Sequence, residues 1–90
     1  MSRHVSRKQR WTQASPKRHV SALGTVVYEE NAWYAWADYK TRAPQADAGD
    51  PAGWVAHHLR LGPFKRPRNA MVALERELVF LKNRHGEDMA

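Results

Sequence analysis

Ninety residues, no cysteine and a formal net charge of +6 set the first bounds on this chain. Such a length supports one domain, and the missing cysteines exclude disulfides, thiolate metal sites and a thiol nucleophile. No apolar run reaches the roughly twenty residues of a membrane-spanning helix, so the positive excess points to nucleic acid as partner rather than membrane, in a cytoplasmic setting that includes nucleoid association.

In chain order, residues 1–18 carry Arg3, Arg7, Lys8, Arg10, Lys17 and Arg18 with no acid, and only Val5 and Trp11 are large and apolar. That composition predicts a disordered basic arm, which by itself matches the whole net charge. It lacks the apolar stretch of a secretory leader. Although rich in Arg and Ser, it has too few apolar residues for the amphipathic helix of an organellar transit peptide.

A single domain is expected over residues 19–86. Residues 19–30 alternate and are rich in β-branched side chains, which predicts a first strand with Val20, Ala22, Val26 and Tyr28 on one face. Gly24 permits a bulge or a close backbone approach there. After a polar turn at Glu29, Glu30 and Asn31, residues 32–40 form a second strand. Period-two alternation puts Trp33, Ala35, Ala37 and Tyr39 on one face and Tyr34, Trp36, Asp38 and Lys40 on the other. The small alanines suit the face beneath a helix. Residues 41–53 hold Pro44, Asp47, Gly49, Asp50, Pro51 and Gly53 and read as a long loop, either mobile or functional. A third strand follows over residues 54–61. Val55, Leu59 and Leu61 face the helix, and Trp54, His58 and Arg60 face away. His57 falls on the apolar side, where a satisfied or edge-placed histidine is expected.

Gly62 and Pro63 should end that strand, Pro67 suits a first helical turn, and Gly86 suits a left-handed C-terminal cap, so a helix is predicted over residues 67–84. Ala70, Leu74, Leu78 and Leu81 recur along it at three- and four-residue spacing, with Met71 and Glu77 at the margins. Residues 87–90 should fray. The expected fold is α+β: a three-stranded antiparallel β-sheet followed by one C-terminal α-helix on its inner face, in the order β-β-β-α. Leu74, Leu78, Leu81, Phe64 and Phe80 should pack on that inner face.

Catalytic signals are absent from the sequence, and neither an enzyme, a metal site nor a cofactor is expected. His57 and His58 are adjacent in a strand and point to opposite faces. Glu75 and Glu77 lie about 200° apart around a helix, so they form no acid pair. The outer sheet face is more informative: Tyr34, Trp36, Lys40, Trp54, His58 and Arg60 would place rings and cations where a single helix cannot cover them. Rings that stack on bases beside cations that meet phosphate make a nucleic-acid platform. Two other readings of this face stay open: a cover formed by the long loop or Trp11, and a homodimer or protein-partner interface. At the helix entry, Lys65, Arg66 and Arg68 crowd the positive end of the macrodipole. Either a bound phosphate repays that cost or the three are a solvated charge cluster.

Residues 33–37 (WYAWA), the LGPF turn at residues 61–64 and the helical Ala70, Ala73, Leu74 and Glu75 together resemble the plant ethylene-response-factor type of DNA-binding domain, a family whose bacterial relatives include the arm-binding domains of phage-type integrases. The resemblance covers residues 24–80. It implies a three-stranded sheet on one helix, with the outer sheet face laid in the DNA major groove, and DNA favoured over RNA. Trp33, Arg60 and the turn at Gly62 to Phe64 match the family pattern. The first strand has Thr25, Val26, Val27 and Tyr28 where the family places base-reading arginines, so contact through phosphates and shape is expected rather than a sharp sequence code.

Overall fold

The computed structural model describes residues 11–43 and 53–90. Five strands precede one long helix: β1 (Thr12–Ser15), β2 (Arg18–Val20), β3 (Thr25–Glu29), β4 (Ala32–Arg42) and β5 (Trp54–Phe64), then α1 (Pro67–His85) and a 3-10 turn at Gly86–Asp88. The strands form one antiparallel meander in sequence order. The α+β class and the C-terminal helix agree with the sequence reading, but the sheet has five strands rather than three.

One extra strand, β1, arises in the stretch read as an arm; β2 takes the last residue of that stretch and the start of the strand expected over residues 19–30. β1 is short, polar and exposed, and β2 is a half-buried three-residue strand, so both are held by pairing, Gln13 opposite His19 and His19 opposite Val26. The basic segment thus joins the sheet before its last residue, while residues 1–10 lie outside the described residues. The single strand expected over residues 19–30 is split by a bend, closed by a hydrogen bond from the Ser21 N–H to the Gly24 carbonyl at 2.9 Å. That bend shifts the alternation: His19 faces the same side as Val26, while Val20 faces out with Thr25, contrary to the predicted face. Gly24 lies so close over β4 that a Cβ there would collide with the Trp36 carbonyl oxygen.

Turn chemistry joins β3 to β4 through Glu30 and Asn31, both at positive φ (51° and 64°), the backbone pattern of a tight two-residue hairpin. The β4–β5 ribbon carries a register shift between Trp33 and Ala35. Contrary to expectation, β5 runs through Gly62 and Pro63 to Phe64. As an edge strand, it tolerates a proline whose missing N–H has no ladder partner to serve. Gly62 has φ +140°, and a Cβ there would lie 2.6 Å from the Tyr34 ring.

Val26, Ala35 and Ala37 of the sheet meet Ala70, Met71 and Leu74 of α1 in the core, with Leu74 and Val26 fully buried. The alanines let the helix approach the sheet closely. Trp11, Leu23, Trp33, Leu59, Leu61, Phe64 and Leu78 pack around this centre. Trp11 is pinned on the helix side because its indole Nε1–H donates to Glu75 Oε2 at 3.0 Å. Phe80 is 56% exposed instead of packing on the sheet. Two residues past Leu78, it has rotated about 200° from that side of the stripe. At the C-terminus of α1, Gly86 adopts φ 58° and its N–H returns to the Lys82 carbonyl, with Lys82, Arg84 and His85 favourably placed in the last turn. The tail does not fray: Ala90 exchanges backbone hydrogen bonds with Lys40, at 2.8 and 3.1 Å, along the part of β4 that extends past β3. No helix among the described residues is long and apolar enough to cross a membrane.

Candidate nucleic-acid interface

Strand register arranges the outer face in rows. Arg18, Val27 and Tyr34 form the first, and Val20, Thr25, Trp36 and Arg60 the second. Below them come Asp38 beside His58, Lys40 beside Ala56, and Arg42 beside Trp54. No described element packs over these rows, because α1 lies on the opposite face. Trp36 is 39% exposed. Trp11, one of the two covers considered for this face, is tied to Glu75 on the helix side and does not reach it.

Arg60 is the best-held side chain of the surface. Its guanidinium lies 3.9 Å from the Tyr34 ring centroid and 5.1 Å from that of Trp36, within the range of cation–π attraction. The same group donates to Glu30 Oε1 at 3.3 Å and faces Glu29 Oε1 at 3.8 Å. The latter oxygen is shut off from solvent and accepts no hydrogen bond, so Arg60 holds it by charge alone. Gly62 is the local reason that the stack exists: any side chain there would push the Tyr34 ring away.

Farther along, His58 Nδ1 lies 2.7 Å from Asp38 Oδ1, with both side chains largely exposed. Arg42 lies over the Trp54 ring at 4.6 Å and pairs through Nε with Asp88 at 3.6 Å. On the apolar face His57 is satisfied as expected, bonded to Thr41 Oγ1 at 2.7 Å and stacked on Tyr39 at 4.8 Å.

The structure thus brings Tyr34, Trp36, Lys40, Trp54, His58, Arg60 and Arg18 onto one face. It separates Lys17, which leans over the Tyr28 ring at 5.7 Å on the helix side. Arg7, Lys8 and Arg10 lie outside the described residues. Lys65, Arg66 and Arg68 follow directly on the end of β5 and are exposed, with no ion pair among the described residues. The first turn of α1 has no acid, and Arg66 caps it without a side-chain hydrogen bond, so three exposed cations sit in sequence at the helix end whose N–H groups lack intrahelical partners.

No family model matches the chain, and no curated protein or solved structure matches it either. Any functional reading therefore rests on this surface. Sequence reasoning missed Arg42, although it continues the alternation of Tyr34, Trp36, Asp38 and Lys40 by one step. It also missed how far the face supplies its own counterions, because Glu30 and Asp88 lie outside the strands, where alternation gives no direction.

Proposed function

We propose that this protein binds nucleic acid, with DNA favoured over RNA, through its uncovered sheet face and the cationic entry of α1. The observation that carries the reading is the succession of two unlike features along the chain, on β5 and at the entry of α1. Arg60 stacked on Tyr34 and Trp36 is a preorganised ring-and-cation surface, and a few residues along the chain three exposed cations have no acidic partner among the described residues. Rings of this kind stack on bases, and cations of this kind meet phosphate. The preference for DNA rests on the family resemblance of the sequences at residues 33–37 and 61–64.

Because Arg60, Arg42 and His58 already face carboxylates, the helix entry is the principal phosphate clamp and the sheet face the ring platform. The protein would act in the cytoplasm, as a binding protein rather than an enzyme. Titrating duplex and single-stranded DNA, and the matching RNA, at low and physiological salt tests this. Affinity should fall steeply with salt. Replacing Lys65, Arg66 and Arg68 by Gln should flatten the log–log salt slope by about 0.9 per lost phosphate contact. A slope unchanged by the triple variant would remove the clamp from the mechanism.

A second reading is favoured by the exposed ring of Trp36: the same face is a protein-partner or homodimer interface. Then Trp36→Ala would change oligomeric state by light scattering and leave nucleic-acid affinity alone.

A further inference from the structure

We infer that the shallow cleft between Lys40 and the Asp38–His58 pair is a subsite for one unpaired guanine base, an assignment that rests on the nucleic-acid reading and names its substrate class. The cleft measures about 440 Å³ and is lined by Asp38, Tyr39, Lys40, Ala56, His58 and Ala90, within the range of roughly 300 to 1,000 Å³ typical of small-molecule sites. It exists because Ala56, the smallest side chain in these rows, stands opposite Lys40 and forms a low floor beside the taller Asp38 and His58.

Asp38 is the residue that needs explaining. A carboxylate on a surface that meets phosphates opposes binding unless it recognises something that donates hydrogen bonds. Carboxylates accept only, through two oxygens with about four lone-pair directions. The His58 ring takes one of these on Oδ1 at 2.7 Å, which leaves Oδ2 and the remaining Oδ1 direction without a partner among the described residues, on a side chain that lines the cleft. Among the bases, guanine presents two adjacent donors, N1–H and the N2 amino group, on its Watson–Crick edge. That pair matches the two carboxylate oxygens. The others offer a single donor position beside acceptors. The edge is occupied in a duplex, so the base must be unpaired, the state in which proteins read such edges directly. Lys40 then supplies the cation for the same nucleotide's phosphate, and Trp36, one row away, stacks the neighbouring base.

Fluorescence anisotropy of the full chain with labelled single-stranded oligothymidylates tests this. The strands carry guanine, inosine or adenine at one central position, and inosine lacks the N2 amino group. Guanine should bind about tenfold more tightly than adenine, the value of one good paired contact, with inosine between them. Asp38→Asn exchanges an acceptor for a donor on an exposed side chain and should abolish the discrimination while retaining salt-dependent binding. Asp38→Ser serves as the control for any fold defect. Equal affinity for the three strands, or discrimination that survives Asp38→Asn, would overturn the guanine subsite and leave the proposed function standing. Absence of binding to every strand at low salt would overturn the subsite alone if duplex DNA still binds, and both readings if it does not.

Discussion

The two faces of β4 invert the usual relation between size and burial. On the inner face Ala35 and Ala37 are 0% and 6% exposed, whereas the neighbouring Trp36 on the outer face is 39% exposed. Small residues occupy the middle of the packed side, between Trp33 and Tyr39, because α1 must come close enough to seat Leu74. Large rings occupy the open side, where no described layer uses them for packing. The inner face is therefore explained by folding. The outer face calls for a partner.

Variants can break or sharpen that contrast. The largest effect should come from Leu74→Ala, which empties the centre of the core: a loss of about 3 kcal/mol, read as a shifted denaturant midpoint, is most of what a domain this small has to spare. Gly62→Ala should cost about 2 kcal/mol from its positive φ and the crowded Tyr34 ring. It should also weaken nucleic-acid binding, since the ring under Arg60 must move; thermal denaturation and anisotropy on the same sample separate the two losses. Trp11→Phe keeps most of the packing and removes the hydrogen bond to Glu75, for a change of about 1 kcal/mol. The smallest stability effect should be that of Trp36→Ala, within about 1 kcal/mol, accompanied by a fall in affinity of fivefold or more if one base stacks there. A stability loss as large as that of Leu74→Ala would end the distinction between the faces.

The two-faced pattern of β4 was legible because Ala35 and Ala37 alternate with larger side chains within residues 33–40, and α1 because its proline, glycine and apolar stripe agree. The hairpin of β1 and β2 was not. TQAS and RHV carry no apolar alternation, and their order comes from backbone pairing to β3, which composition does not reveal. Val20 was placed on the wrong face because the bend at residues 21–24 resets the count. Phe80 was misplaced because its apolar character was weighed without its angle around the helix. At the candidate site the rings and Arg60 could be read from alternation. The clamp of Glu29 and Glu30 on Arg60 depends on a turn with two positive φ values, and residue type alone did not foretell that geometry at Glu30.

The pairing of Ala90 with Lys40 bears on how this sheet avoids its own kind. β4 extends several residues past β3, and an uncovered backbone rim of that sort invites strands from other molecules. Met89 and Ala90 occupy it, while the β1–β2 hairpin covers the far side of β3. Two short segments from opposite ends of the described chain thus border β3 and β4, so that the open rims of the sheet are left to β1, four residues long, and to β5, which carries a proline.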